Sequence, residues 1–444
     1  MTRSVVVVGG GWAGLSAAVH ATQQGWQVTL MEGARQWGGR ARRIDATAAQ
    51  TCTTVPDNGQ HILIGAYTET LRLMELVGVD VAAAFETVAL DLRFADGLGL
   101  CMPHWARRWP ASAGLLAASV LAQGWSWHDR WQWIRLAARW QWQGFRCEPT
   151  ATVADLCRGL SQTVVRTLIE PLCVAALNTP HDRASGTVFL TVLRDALLGP
   201  GHGPWRASDL LVPRWDLSRL LPEPAIAWLT ARGAQVHLGQ RADTLTARGA
   251  SWTVGTRNQA WSADAVILAT PVHETARLLA SGSVAEGWQT VASALHHEPI
   301  ATVYLKGELT GAWPTPHSMV ALHSDADRPA QFAFLRSRSM GGGAHCGPGT
   351  TVEVAVVASA CHHDREALHA GVIRQAAEQL PLQGIQALLS VHEKRATLAC
   401  TPGLRRPPAV IAGGLLAAGD YVDGPYPSTL EGAVRSGRLA AALL

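Results

Sequence analysis

The sequence predicts an α/β protein in which a doubly wound, mostly parallel sheet domain is interleaved with a second, α+β domain. A β-branched run at residues 3–8 ends in glycines, an alanine-rich helical stretch covers 12–24, and a second strand covers 28–31. This order of strand, glycine turn, helix and strand opens a parallel doubly wound domain. The same alternation returns near residue 220 and near residue 415, which supports the fold class.

The composition excludes several classes of protein. The 444 residues are 48% hydrophobic and 16% charged, so the chain can bury a large core and is not globally disordered. The net charge is only +3, which gives wholesale nucleic-acid binding no electrostatic support. The eight cysteines form no CxxC pair and have no histidine at ligand spacing, so we expect neither a disulfide framework nor a metal site. A reducing, cytoplasmic compartment fits this pattern.

The N-terminus is not expected to act as a targeting peptide. Its apolar run at 5–8 is short and leads directly into glycines that belong to a motif. No stretch of about 18 uninterrupted apolar residues occurs, so we expect no helix that spans a bilayer.

Further elements follow in order along the chain. Residues 85–215 are rich in tryptophan and helical patterns and poor in strands. The glycine run 341–343 predicts a loop. The pattern predicts helices at 222–232, 363–379 and 428–443, and strands at 235–238, 265–269, 301–305, 331–335, 352–357 and 415–418.

This alternation predicts two discontinuous domains. The first, which would bind a nucleotide, combines residues 1–80, 210–290 and 395–444. The second, which would bind the substrate, combines residues 81–209 and 291–394, with a Trp/Arg-rich helical region at 104–146.

The first glycine-rich turn predicts a dinucleotide site. Gly9, Gly11 and Gly14 satisfy GxGxxG between a strand and a helix. Gly9 allows the tight turn, Gly11 lets a pyrophosphate approach the backbone, and Gly14 lets the helix pack on the strand. The helix N-terminus, at Trp12 and Ala13, would offer amide donors and partial positive charge to the phosphates.

Two further features lie close to this turn in sequence. Glu32 ends the second strand 18 residues after Gly14, where its carboxylate can bind ribose hydroxyls. Gly38, Gly39 and Arg40 follow, and this second glycine pair predicts another close backbone approach with a guanidinium available to a phosphate. An ordinary loop is the alternative explanation of the second pair.

Together these motifs resemble the flavin amine oxidase and carotenoid desaturase superfamily. Residues 57–67 (DNGQHILIGAY), 418–421 (AGDY) and 426–437 (YPSTLEGAVRSG) are similar to one family within it, the bacterial hydroxysqualene dehydroxylases, also described as squalene-associated FAD-dependent desaturases. The resemblance implies FAD in a discontinuous Rossmann-like domain of the amine-oxidase (GR2) type. We expect noncovalent FAD, because the motif neighbourhood has no obvious Cys or His for attachment.

The resemblance also implies a reaction and a setting. The reaction is reductive removal of the hydroxyl of hydroxysqualene, which gives squalene for bacterial hopanoid or related triterpenoid synthesis. The substrate is a hydrophobic C30 isoprenoid, and other squalene-pathway enzymes are candidate partners.

Several C-terminal residues are assigned to the cofactor by this resemblance. Gly419 and Asp420 would bring a carboxylate to the ribityl chain. Ser428 and Thr429 begin the last helix, whose N-terminus would point at the flavin or its phosphates. Plain helix capping is the alternative for this pair. In the middle of the chain, Ala242 is the predicted backbone contact to the adenine.

The implied chemistry needs one general acid in a dry, apolar cavity. An allylic hydroxyl leaves only when protonated, and hydride from N5 of reduced FAD would then quench the resulting carbocation. Asp57 and His61 are the candidate acids, because their segment holds few other ionisable groups and His61 titrates nearest neutral pH. Tyr421 and Tyr426 are weaker candidates. The alternative is that Asp57 and His61 only orient the loop or the flavin.

A tryptophan-rich segment is the second unusual feature. Residues 105–142 hold eight of the 18 tryptophans, with arginines between them. Tryptophan with arginine favours a membrane interface, because the rings lie at headgroup depth and arginine meets phosphate. A peripheral position at the inner face of the cytoplasmic membrane would give access to a nearly insoluble substrate. An ordinary helical core is the alternative.

Three other functions stay open at this point. A desaturase of a carotenoid or another isoprenoid would share the flavin site and differ in the direction of electron flow. An amine oxidase would usually need an aromatic cage and a lysine–water pair, for which Lys306 is the only plausible lysine. A membrane-docked scaffold would keep FAD for structure alone.

Overall fold

The computed structural model describes residues 3–45, 50–336 and 347–444, so the loop predicted at 341–343 lies outside it. The longer helices span Trp12–Gln23, Thr68–Leu76, Ala111–Val120, Trp127–Trp142, Glu170–Leu177, Gly186–Leu198, Pro222–Thr230, Val272–Ser281, Glu286–Ser293, Arg365–Gln379 and Leu430–Ala442. Shorter helical segments span Val81–Ala84, His104–Arg108, Val153–Leu156, Gln162–Val164, Val165–Ile169 and Leu217–Leu220.

In the described chain, a six-stranded sheet combines three distant parts of the sequence. Its strands lie in the order Val410–Ala412, Leu415–Ala417, Ala265–Leu268, Ser4–Val8, Gln27–Glu32 and Gln235–Leu238. The first pair is antiparallel and the other pairs are parallel. All of these strands except Val410–Ala412 were predicted, and the α/β fold class is confirmed.

Continuous apolar strands form the centre of this sheet because both of its faces are covered. Val5 and Val7 face the helix Trp12–Gln23, whereas Val6 and Val8 face the opposite core. That opposite core includes the three-stranded meander Thr244–Arg248, Ser251–Gly255 and Ala260–Ala263.

The first and last helices of the chain pack tightly against each other. Gly437 permits this contact, since a Cβ there would lie 2.1 Å from the Ala13 oxygen. The Ser16 hydroxyl donates to the Val434 oxygen at 2.7 Å across the same interface. The C-terminal helix therefore covers the helix that follows the glycine turn.

A five-stranded antiparallel sheet lies in the second half of the chain. One face packs against the helix Arg365–Gln379, and the other faces a core formed with the mainly helical part of the chain between residues 88 and 190. The strand Leu382–Leu398 was not predicted, and the predicted domain boundary at 395 falls inside it; the domain division stays a prediction. The strand order is Met319–Ala321, Phe332–Leu335, Thr351–Ser359, His297–Leu309 and Leu382–Leu398.

A small sheet lies between these two layers of the structure. Leu210–Pro213 pairs with Leu63–Ile64 on one side and with Phe85–Val88 on the other. A hairpin of Asp91–Arg93 and Gly99–Cys101 follows. The small sheet holds the end of the segment 57–64 in place.

Candidate active site

The first glycine turn has the geometry that its motif predicts. Gly9 has φ +114°, and a Cβ there would lie 2.4 Å from the Ala269 oxygen. A Cβ on Gly14 would lie 1.9 Å from the Gly9 oxygen, so the helix packs directly on the turn. A Cβ on Gly11 would meet only Gly39 Cα among the described residues, at 3.8 Å. The space in front of the helix N-terminus is therefore open.

Trp12 and Ala13 begin the helix behind this open space. Their backbone N–H groups belong to the first turn, which has no intrahelical acceptors. The Trp12 ring is buried, and its Nε1 donates to the Ala41 oxygen at 2.9 Å. These residues thus offer amides to a phosphate, while the indole ties the second glycine loop to the helix.

The second glycine pair lies against the first turn. Gly38 and Gly39 have φ +109° and +61°, which other residues rarely adopt. The Gly38 N–H donates to the Gly10 oxygen at 2.8 Å. A close backbone approach is thus present at this pair.

Glu32 lies beside the same open space. Its two carboxylate oxygens accept hydrogen bonds from the backbone N–H groups of Gly10 and Ala34, both at 2.7 Å. Each oxygen keeps a lone pair for a ribose hydroxyl. The loop that carries Ala242 passes close by, since the Gln240 N–H donates to the backbone oxygen of Glu32 at 2.8 Å.

Ala242 has a buried backbone position in that loop. Its carbonyl oxygen accepts a hydrogen bond from Arg277 Nη2 at 2.6 Å. The predicted adenine contact at Ala242 stays a prediction.

Arg40 and Asp420 form an ion pair although 380 residues separate them. Arg40 Nη2 donates to Asp420 Oδ1 at 2.6 Å, and Nη1 donates to the backbone oxygen of Ala396. The carboxylate of Asp420 raises the pKa of Arg40. Arg40 and Asp420, which the sequence analysis assigned separately to the cofactor, are therefore paired with each other next to Gly419.

Two histidines near this ion pair were given no role from the sequence. Burial, followed by the charge of Arg40, lowers the pKa of His297. Burial and Arg395 lower the pKa of His273. The sequence around these histidines does not indicate a role, because the charged groups that act on them come from distant parts of the chain.

The hydroxyls of Ser428 and Thr429 are both bound within the chain. Thr429 Oγ1 accepts from the Gly432 N–H at 2.9 Å and caps the last helix. Ser428 has φ +59°, and its Oγ accepts from the Leu398 N–H at 2.7 Å. Capping accounts for the side chain of Thr429, and a flavin contact by this helix end stays a prediction.

The segment 51–61 crosses one face of the five-stranded sheet. The Thr54 N–H donates to Glu353 Oε2 at 2.8 Å, and the Tyr304 hydroxyl donates to the Asp57 oxygen at 2.8 Å. The segment thus connects the glycine loop at residue 40 with the second sheet.

The Asp57 carboxyl group is enclosed at this junction, with 1% of the residue exposed. Its Oδ1 accepts from the Leu217 N–H at 2.8 Å, and its Oδ2 lies 3.8 Å from Nη1 of the fully buried Arg336. Burial raises the pKa of Asp57 to about 7, against the opposing effects of Arg336 and Leu217. The group can hold a proton near neutral pH.

Arg336 was missed by sequence reasoning. It also donates to Gln60 Oε1 at 2.9 Å and to the Val55 oxygen at 2.6 Å, so it holds the segment at both ends. The available signal was a charge placed directly after the apolar run 332–335. A charge there is either at a strand end in solvent or buried with a partner.

His61 remains partly accessible, in contrast to Asp57. Its Nδ1 lies 2.9 Å from the Gly59 oxygen, so Nδ1 carries the hydrogen and Nε2 the lone pair. Burial lowers the pKa of His61, which keeps the ring neutral at pH 7.

The sheet face that the segment crosses also carries a cluster of aliphatic side chains. Leu389 and Val391 lie opposite Tyr304 and Thr302, and Ile300 lies on the same face. These three aliphatic side chains are only partly buried and pack against the helical core. The face thus offers apolar surface next to the segment that ends at His61.

The two tyrosines are weaker acids than Asp57. The Tyr421 hydroxyl lies 3.0 Å from Thr275 Oγ1 in the interior. The Tyr426 hydroxyl donates to Asp195 Oδ2 at 2.6 Å, and burial raises its pKa to about 12. Both phenols are thus hydrogen-bonded to other side chains of the protein.

The chain is similar to one known family and to named proteins along its full length. Residues 12–444 match the family described as flavin containing amine oxidoreductase. A protein of Rhodopseudomonas palustris named hydroxysqualene dehydroxylase is 27% identical, over 100% of this chain and 99% of its own. One of Sinorhizobium fredii with the same name is 28% identical, over 100% and 98%.

Solved structures show the same fold. An oxidoreductase of Methanosarcina mazei superimposes with a TM-score of 0.70 at 15% identity, over 99% of this chain and 100% of the other. Cyclohexylamine oxidase of Brevibacterium oxydans superimposes with a TM-score of 0.66 at 15% identity, over 100% and 98%.

These comparisons confirm the predicted family resemblance, the oxidoreductase class and FAD as the cofactor. The residues present also fit FAD: an open glycine cradle lies at a helix N-terminus, the Glu32 carboxylate lies beside it, and the Arg40–Asp420 pair follows. The match spans nearly the whole chain, and we conclude that the protein belongs to the flavin-containing amine oxidoreductase family.

Proposed function

We propose that this protein is an FAD-dependent dehydroxylase, which replaces the hydroxyl of hydroxysqualene by hydrogen and forms squalene for bacterial hopanoid or related triterpenoid synthesis. The observation that carries the proposal is the segment 57–61, which brings two titratable groups between a glycine cradle and the aliphatic side chains of a sheet face. Three full-length relatives with this name, 25–28% identical, support the substrate class.

Reduced FAD, held noncovalently, supplies the hydride when bound. The tasks of the chain are to place a proton on the leaving hydroxyl and to keep water from the cation that forms. Ile300, Leu389 and Val391 provide apolar surface for the isoprenoid chain and exclude water from the reacting carbon.

His61 is the proton donor in this proposal. Its Nδ1–H is held by Gly59, so the proton that the neutral ring gains on protonation, and can then donate, is carried at Nε2. Because burial lowers its pKa, the protonated ring is a strong acid toward an alcohol oxygen. The active fraction of the enzyme therefore grows as the pH falls through the pKa of His61.

Asp57 acts as a positioning residue in this proposal. Its carboxyl group is enclosed and contacts Leu217 and Arg336 instead of open space. It therefore holds the segment that carries His61 at a fixed place between the two sheets.

The alternatives have less support. Lys306, the one lysine that an amine oxidase could use, is exposed. A desaturase would share every cofactor contact described above, and a scaffold would show no turnover. The direction of hydride transfer thus separates the dehydroxylase from the desaturase and the amine oxidase, both of which pass hydride to the flavin, and a scaffold would show no transfer.

An anaerobic experiment tests the proposal. The purified protein is reduced chemically, hydroxysqualene is added in detergent, and the visible flavin absorbance and the products are followed. We expect the flavin to be reoxidised as squalene appears. Reduced flavin that ignores hydroxysqualene, with oxidised flavin that bleaches on a polyene precursor, would establish a desaturase. Retention of the yellow colour on acid-precipitated protein would contradict noncovalent FAD.

His61→Gln tests the proton donor in the same assay. We expect normal FAD content, a reoxidation rate about 10²–10⁴-fold lower, and loss of the rate increase toward acid pH. His363→Gln, at an exposed histidine, is the matched control. A wild-type rate in His61→Gln would remove His61 from the reaction.

A membrane setting follows from the substrate class. We propose peripheral attachment at the inner face of the cytoplasmic membrane, because a C30 isoprenoid partitions into bilayers. Within the ranges that the structure describes, the helices are too short or too polar to cross one. Association with other squalene-pathway enzymes stays a prediction.

A further inference from the structure

The Trp/Arg-rich region 104–146 divides its tryptophans between the core and the surface. Trp125, Trp133 and Trp140 are buried in the helical core. The others are exposed by 47% to 88%, and they are Trp105, Trp109, Trp127, Trp131 and Trp142. The alternative of an ordinary core therefore accounts for only part of the tryptophan content.

The helix Trp127–Trp142 carries tryptophan on two opposite faces. Trp133 packs inward, where its Nε1 donates to Ser119 Oγ at 2.8 Å. Trp127, Trp131 and Trp142 follow each other at spacings of 4 and 11 residues, which places them along one side of a helix. All three are more than 60% exposed, so this stripe faces outward.

The preceding helix, Ala111–Val120, has an apolar outer face as well. It contains no charged residue, and its outward side chains include Leu116 and Val120, both exposed. A surface helix of a soluble protein normally presents polar residues there. Arg130 Nη2 donates to the oxygen of Ala122, just after the end of this helix, at 3.0 Å and connects that end to the tryptophan stripe.

The charges of the region have one sign. Residues 104–146 include six arginines, no lysine and one acidic residue, Asp129. That carboxylate is buried and belongs to the capping box of Ser126. The Arg130 guanidinium lies 4.9 Å from the centre of the Trp127 ring. Six arginines against one aspartate give this region a net charge of +5, compared with +3 for the whole chain, so the net positive charge lies here.

We propose that this surface docks on an anionic phospholipid bilayer. The docking surface comprises the five exposed tryptophans with Leu116, Val120 and Leu121. The rings would lie at headgroup depth, and the arginines would meet lipid phosphates. The inference rests on the proposed function in one respect, because a C30 substrate explains why the enzyme would need a bilayer.

Flotation of the FAD-loaded protein with vesicles tests this surface. We expect it to float with vesicles of equal parts phosphatidylcholine and phosphatidylglycerol, to float less with phosphatidylcholine alone, and to detach as salt rises. Combined Trp127→Ser, Trp131→Ser and Trp142→Ser should lower the bound fraction at least about tenfold. The matched control is Leu439→Ser with Leu443→Ser, which removes an exposed apolar stripe of the last helix.

Two outcomes would overturn the inference. Wild-type protein that stays with the dense fraction would exclude a lipid surface, and a triple variant that floats normally would exclude these tryptophans. If wild-type protein instead forms a dimer that the triple variant breaks, a second copy covers the surface and the lipid assignment is wrong.

Turnover separates this inference from the proposed function. We expect the triple variant to reoxidise reduced flavin normally with hydroxysqualene in detergent, and more slowly than wild type with hydroxysqualene in vesicles. If neither protein turns over in detergent, the proposed function fails, while the flotation result still decides the docking surface.

Discussion

The glycine cradle and the segment 57–61 lie next to each other, and they are built in different ways. The cradle depends on close backbone contacts, some within a few residues, such as Gly14 against Gly9, and some from further along the chain, such as Gly9 against Ala269. Asp57, in contrast, is surrounded by Leu217, Tyr304 and Arg336, which are 160 to 279 positions away in the chain. The cradle is therefore controlled by backbone sterics, and the segment by burial and long-range electrostatics.

The largest effect should come from the cradle itself. In Gly14→Ala, the new Cβ would lie 1.9 Å from the Gly9 oxygen, so helix and turn must separate. We expect loss of most bound FAD and a destabilisation of about 1–3 kcal/mol or more. Flavin absorbance per protein and thermal unfolding measure both effects.

Gly287→Ala is the control for that substitution. A Cβ there would meet none of the described residues within 4 Å, and the position needs no left-handed backbone. We expect full FAD content in the control. Full FAD content in Gly14→Ala as well would show that the cradle is not set by sterics.

A smaller effect is expected where the cradle depends on a distant residue. Arg40→Gln removes the cation that pairs with Asp420 at 2.6 Å and leaves that carboxylate without its charge partner. We expect the Kd for FAD to rise about tenfold to a hundredfold, which corresponds to about 1.4–2.7 kcal/mol. Titration of the apoprotein with FAD measures this.

Arg158→Gln gives the matched control, because Arg158 forms an ion pair of the same length on an exposed helix end. Exposed pairs contribute little, so its FAD affinity should equal that of wild type. An unchanged Kd in Arg40→Gln would show that the Arg40–Asp420 pair serves the fold and not the cofactor.

The last effect, at Asp57, is expressed per pH unit because it depends on pH. Its pKa is about 7 in the folded protein, against an ordinary value of 3.8. Between these values the folded protein holds a proton that the unfolded chain has released, so stability falls as pH rises. The slope contributed by this group is at most about 1.4 kcal/mol per pH unit.

Asp57→Asn should lose this slope. Urea unfolding of both proteins across the same pH range measures it, and Asp325→Asn, at an exposed carboxylate, is the control. The interpretation fails if the stability curves of wild type and Asp57→Asn run parallel. A retained slope would mean that another group binds the proton.

The positions of the glycine turn and of Glu32 were largely readable from the sequence. Gly9, Gly11 and Gly14 have the spacing of a strand–turn–helix junction, Glu32 was expected at the end of the next strand, and the structure has both features. The ion pair of Arg40 with Asp420 was not readable, because nothing in either segment indicates the other.

The helix Trp127–Trp142 shows the same limit. Helical spacing alone separates Trp133 and Trp140 from Trp127, Trp131 and Trp142. Which of the two sets faces the core depends on Ser119 and Phe189, which pack from other helices.

By itself, the sequence determined the α/β class, five strands of the central sheet and the cofactor cradle, because these follow from apolar periodicity and from glycines in consecutive residues. Only the tertiary structure decided that Asp57 is enclosed with a pKa of about 7, that His61 stays accessible, and that one tryptophan stripe faces outward. Burial and electrostatic environment are set by residues from distant segments, and their positions exist only once the chain has folded.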